Sequence, residues 1–178
     1  MKRFLLTIMV VALVTSAAQA QKQSGFAIYP YVNCQASDIP ASASRTLEKK
    51  LLSLVTANGI AATESDFVIT AIADVVEKNV TNTAPAMTVA KVEIEIFLLD
   101  NAEKLIVSQK LFTQTGVGRS SDQAVNKAVG SLNVKSVEAR RFMENARKKL
   151  EEHYAEKEHA AGDSLAGAVE PAWFFEKK

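Results

Sequence analysis

One cysteine, Cys34, two histidines, His153 and His159, and no excess of either charge sign set the first limits on this chain of 178 residues. A single thiol cannot close an intramolecular disulfide, so packing alone has to hold the fold together. Cys34 is then either a small buried hydrophobe or a reactive thiol. The two histidines have no cysteine beside them to complete a zinc set, and Glu151, Glu152, Glu156 and Glu158 around them read as a solvated charged helix. With 21 basic and 20 acidic residues, the chain lacks the concentrated cationic surface that displaces counterions from nucleic acid. It also offers no attraction to an anionic membrane. After residue 14, Lys, Glu, Asp or Asn interrupts every apolar run well short of the ~20 residues of a transmembrane helix. Dinucleotide and phosphate loops are missing too, so no cofactor is expected.

What is present begins at the amino terminus. Lys2 and Arg3 precede an apolar stretch from Phe4 to Val14, and Ala18-Gln19-Ala20 supplies a small-residue cleavage pattern. Residues 1–20 therefore read as a secretory signal peptide, with export to the periplasm or the extracellular space. Position 21 is Gln rather than the cysteine of a lipoprotein, which favours a soluble exported form. Removing the first 20 of 178 residues leaves 158, with 19 basic and 20 acidic, enough for one domain with a real core.

Along residues 21–155 the pattern predicts a single α/β domain. Gly25 to Cys34 alternates and reads as a strand, placed at an edge or bulge because Pro30 lacks a ladder donor. Ser42 to Asn58 carries Leu47, Leu51, Leu54 and Val55 at helical spacing, and Asn58-Gly59 ends it. Asp66 to Glu77 is β-branched and apolar on both faces near its start. Lys78 to Met87 contains the turn of a long hairpin. Val89 to Asp100 shows the cleanest two-residue period in the chain, with Val92, Ile94, Ile96 and Leu98 opposite Lys91, Glu93 and Glu95. Lys104 to Thr115 follows, its apolar phase shifted by a bulge near Ser108 or Gln109. Gly116-Val117-Gly118 is read as breaking that strand. A helix runs from Ser120 or Ser121 to about Leu132, and a charged one from Val134 to about Tyr154 presents Val137, Phe142, Ala146, Leu150 and Tyr154. Residues 156–178 are expected to form a flexible tail ending in an aromatic cluster. The expected fold is a two-layer α/β (α+β) domain in the order β-α-β-β-β-α-α, a mainly antiparallel four-stranded sheet with helices on one face.

Few residues offer chemistry. Gly116, Gly118, Arg119, Ser120 and Ser121 form a candidate anion site at a helix start, although ordinary strand-to-helix turn chemistry explains the same residues. Glu93 and Glu95 are two apart on a wet face, where solvated surface accounts for them better than acid–base catalysis. Trp173, Phe174 and Phe175 are a candidate partner-binding cluster: they either fold back onto the domain or insert into another protein.

Ser65 to Tyr154 resembles uncharacterised secreted proteins of the Bacteroidetes. The likeness lies in SDFVITAIADVVEKNVTNTAPAMTVAKVEIEIFLLD, in GVGRSSDQAVNKAV and in the helix ending EEHY. More distantly, the element order is similar to the TolB amino-terminal domain and to curli-export lipoproteins. The resemblance implies architecture and work through protein contacts, and it carries no catalytic residues.

The sequence thus predicts a non-enzymatic cell-envelope protein that binds another envelope protein, with no nucleic-acid partner and no metal. Two rivals remain open. Tyr29 and Tyr31 could stack on a sugar ring in a small-ligand or glycan-binding protein. A thiol enzyme would need Cys34, a histidine and a carboxylate in one pocket.

Overall fold

The alternation of Val92, Ile94, Ile96 and Leu98 governs the architecture, because the strand that carries it is central and antiparallel to both neighbours. The computed structural model describes residues 26–33, 37–154 and 171–176, with only the backbone described at 153 and 154. Strand β1 (Ile28–Pro30) is followed by helix α1 (Ala41–Ala57), then by β2 (Phe67–Val80), β3 (Thr88–Asp100) and β4 (Leu105–Gly118). Helices α2 (Ser121–Ser131), α3 (Val137–Tyr154) and the short α4 (Ala172–Phe175) complete the element order. The sheet order is β1-β2-β3-β4. β1 runs parallel to the start of β2, and α1 provides the crossover that a parallel pair needs.

β1 is shorter than the strand expected from Gly25 to Cys34. Its proline sits at the edge of the sheet, where the missing N–H costs nothing. α1 closes at Asn58 and Gly59, the glycine at φ 69°, with Ile60 N–H donating to Val55 O at 3.2 Å. That bond spans one residue more than a helical step and satisfies a carbonyl the helix leaves open. β2 and β3 extend into the segment expected to hold the turn. Thr81 and Met87 tie its base together, through Thr81 N–H to Met87 O at 2.7 Å and Met87 N–H to Thr81 Oγ1 at 3.0 Å.

One face of the sheet holds the main core. Ile69, Ala71 and Ala73 of β2, the even-numbered residues 90 to 98 of β3, and Val107 and Phe112 of β4 meet Leu47, Leu51, Leu54 and Val55 of α1. Ala124, Val125, Ala128 and Val129 of α2 and Phe142, Met143, Ala146 and Leu150 of α3 join the same cluster. Each fully buried Leu contributes about 1.5–3 kcal/mol relative to exposure.

Three features depart from the expected pattern. The register shifts between Leu98 and Leu99, opposite Ser108 and Ile106, so the bulged residue is Val107. β4 does not break at the glycines but continues through Gly118. The reason is steric: a Cβ at Gly116 would overlap Ala124 O and Ala128 N, and one at Gly118 would overlap Ala124 N. α2 lies directly on the strand there, and only glycine allows that approach. Finally, α4 occupies the opposite face of the sheet from α1, α2 and α3, where Phe174 joins Ile72, Phe97 and Leu99 in a second cluster.

Candidate functional site

The face opposite the main core divides into two parts. At the end nearer β1, Phe174 is buried with its ring 4.8 Å from that of Phe97. Trp173 Nε1–H donates to Asn101 Oδ1 at 2.7 Å, and Phe175 approaches Tyr31 at 6.3 Å. The three aromatics named as a partner-binding cluster are therefore in contact with their own chain. Thr70 is also buried on this face, and its hydroxyl has no hydrogen-bond partner among the described residues.

Beyond Glu95 this face is open. Lys91, Glu93 and Glu95 of β3 are half-buried. Their neighbours across the ladder are Glu77, Asp74 and Ile72 on β2, and Thr115, Thr113 and Leu111 on β4. The candidate acid–base pair thus lies on a central strand, with Asp74 directly opposite Glu93 and Ile72 opposite Glu95.

Among the described residues no strand pairs with the outer side of β4, which forms an edge of the sheet. Backbone direction along it follows from the alternation of an antiparallel ladder. Tyr31 N–H donates to Ile69 O and Ala73 N–H donates to Ser37 Oγ, so odd residues of β2 turn away from β3. Carried across the register of the sheet, this leaves Gln109, Leu111, Thr113, Thr115 and Val117 of β4 with N–H and C=O directed outward. Their side chains share the open face. Leu111 is 49% exposed, Val117 42%, Ile106 41% and Leu105 40%. The only charge on the strand is Lys110, and β4 contains no proline. Edge strands are normally protected by charge, proline, brevity or a covering element. This one, 14 residues long, is covered locally where Lys149 Nζ donates to Val107 O at 3.2 Å.

The glycine turn is occupied by its own hydrogen bonds. Ser120 Oγ accepts from Gln123 N–H at 3.3 Å, Gln123 Oε1 accepts from Arg119 N–H at 3.2 Å, and Ala124 N–H reaches Ser120 O at 3.0 Å. This is a reciprocal helix cap, with Asp122 in the first turn adding a carboxylate where an anion would sit. Gly116 lies beneath the middle of α2, and Gly118 packs against Gln123 and Ala124 of the cap itself.

Tyr31, Asn33, Ala172, Phe175 and Glu176 line a cleft of about 280 Å³. Tyr29 and Tyr31 are both half-buried. Cys34 and His159 lie outside the described residues, as do the side chain of His153 and the whole of residues 1–20 and 156–170, so the thiol, signal-peptide and tail readings fall there. Among the described residues, no group of three His, Cys, Asp or Glu is placed to hold a metal ion. No described helix is long and apolar enough to cross a membrane.

Sequence reasoning misses Leu105, Ile106, Leu111 and Val117 as a set. The phase shift near Val107 is visible in the pattern, but that β4 is the last strand of the sheet is not.

No family model matches the sequence, and no curated protein matches it. Among solved structures, the chain is similar to the PelC dodecamer of Paraburkholderia phytofirmans, at 17% identity and a TM-score of 0.40, over 70% of this chain and 88% of that one. It is similar to a protein from Xanthomonas campestris at 13% identity and a TM-score of 0.38, over 72% of this chain and 88% of that one. A minor lipoprotein from Acinetobacter baumannii gives 11% identity and a TM-score of 0.31, over 75% and 91% of the two chains. The resemblance to secreted proteins of the Bacteroidetes and to the TolB amino-terminal domain has no counterpart among these three.

Proposed function

We propose that this chain is a non-enzymatic, exported cell-envelope protein that works by protein contact, and that its recognition element is the free edge of β4. The observation that carries the reading is a weakly defended 14-residue edge strand with Leu105, Ile106, Leu111 and Val117 exposed. An extended segment of another envelope protein added alongside it would gain main-chain hydrogen bonds from Gln109 to Val117. Leu111 and Val117 would supply the apolar contacts that select its side chains. Export is supported by the signal-like residues 1–20.

The aromatic terminus has a different part in this reading. Trp173, Phe174 and Phe175 close the outer face near β1, which leaves the exposed apolar side chains of β4 as the surface for a partner. The glycan reading has less support, because the Tyr31 cleft is smaller than the ~300–1,000 Å³ typical of ligand pockets and Tyr31 already faces Phe175.

The test is site-specific photo-crosslinking in the native envelope. A photoreactive residue at Thr113 should trap a defined partner, while one at Leu52, an exposed position on α1, should not. Leu111→Lys should abolish the adduct. Equal trapping at both positions, or an adduct indifferent to Leu111→Lys, would remove the edge from the account.

A further inference from the structure

The residues of α1 at 46, 49, 50 and 53 recur at the spacing that puts them on one helix face, and that face is polar and basic: Thr46, Lys49, Lys50 and Ser53. Lys49 and Ser53 on it are exposed, and Thr46 and Lys50 are half-buried. Opposite it lies the joint between α2 and α3, residues 131–135, and the two walls flank an open surface cleft of about 550 Å³. That volume falls within the ~300–1,000 Å³ range of small-molecule sites.

Three ammonium groups come to this cleft, from Lys49, Lys50 and Lys135, and among the described residues no carboxylate lines it. The near-balance of charge in the whole chain, 21 basic against 20 acidic residues, makes a cleft lined by three charges of one sign and, among the described residues, none of the other a local arrangement. Glu48, the nearest acidic residue in sequence, projects from a different side of α1. The ion pairs of Arg147 with Glu151 and of Lys148 with Glu152 lie on α3, away from these three lysines.

The polar groups of the cleft are held in place. Lys50 Nζ donates to Leu132 O at 2.9 Å, which fixes one charge against the joint and ties α1 to it. Asn133 Oδ1 accepts from Lys135 N–H at 3.0 Å. With its oxygen engaged by the backbone, the Asn133 amide presents its NH2 as a donor. Beneath the polar surface, Leu132 and Val134 are buried, so the floor is anchored to the core.

We infer that the cleft between α1 and the α2–α3 joint is a binding site for a small oxyanion-bearing ligand, a phosphate or sulfate ester with two or more charges. Lys49 and Lys135 supply mobile countercharge from opposite walls, Lys50 a fixed one, and Asn133 a neutral donor. The site is on the helical layer and shares no residue with the edge of β4, so it goes beyond the protein-contact reading and stands or falls independently of it.

Isothermal titration of the full chain with inorganic tripolyphosphate and with a sulfated heparin disaccharide tests the inference and separates phosphate from sulfate recognition. Saturable one-to-one binding of at least one probe is expected. A Lys49→Gln/Lys135→Gln double variant, altered only at exposed positions, should weaken it at least tenfold. Asn133→Asp, which puts a carboxylate in the cleft, should do the same, while Arg147→Gln/Lys148→Gln on α3 should change affinity less than twofold. Absence of saturable binding to both probes, or equal weakening by the α3 variant, would overturn the assignment. Loss of this binding with the Thr113 crosslink intact would leave the edge reading in place, and the reverse result would leave this one.

Discussion

The indole of Trp173 donates its N–H to the side-chain oxygen of Asn101 at 2.7 Å, binding a segment near residue 170 to the turn between β3 and β4. Beside it, Phe174 covers Ile72, Phe97 and Leu99. These contacts make the aromatic segment a structural part of the domain whose removal has a measurable cost.

Phe174→Ala should lower unfolding free energy by about 2–4 kcal/mol, below the largest core truncations because one face of the site borders solvent. Urea denaturation gives the value. The variant should also bind a hydrophobic dye that the parent does not.

Thr70→Val should leave stability unchanged or raise it by about 1 kcal/mol. The Thr70 hydroxyl is buried without a hydrogen-bond partner among the described residues, so valine removes an uncompensated polar group while keeping shape and strand propensity. Thermal melts of the two proteins decide it, and a loss above ~1 kcal/mol would mean that the hydroxyl is satisfied in solution.

Two glycine substitutions should go in opposite directions. Gly116→Ala forces a methyl into the backbone of α2 and should cost about 3 kcal/mol or more. A methyl group added at Gly130, inside α2, would meet nothing within 4 Å, so Gly130→Ala should stabilise by about 0.5–1 kcal/mol. Equal effects would mean that α2 does not rest on β4 as closely as described.

Leu111→Lys should stay within about 0.5 kcal/mol of the parent, as an exposed substitution does. It should also reduce concentration-dependent self-association, because an inserted charge is a common defence of a free edge. Sedimentation velocity across a concentration series reads the second effect.

The local periods are readable wherever one face of an element is buried and the other wet. The alternation around Val92 to Leu98 locates β3, and the spacing of Leu47, Leu51 and Leu54 locates α1. Reading fails where a residue's meaning depends on a distant neighbour. Gly116 and Gly118 look like a strand break because glycine usually punctuates, but here they admit α2 onto the strand. Val137 fits the stripe of α3 yet is exposed, whereas Ala139 and Met143, off the expected stripe, are buried. The charged wall of the cleft is hidden for the same reason: Lys49 and Lys135 are 86 positions apart, and only the docking of α1 beside the α2–α3 joint brings them together.

The position of α4 bears on the order of events during synthesis. All four strands and α1, α2 and α3 precede Phe174 in the chain, so Ile72, Phe97 and Leu99 are synthesised, and their strands can pair, before the ring that shields them from water exists.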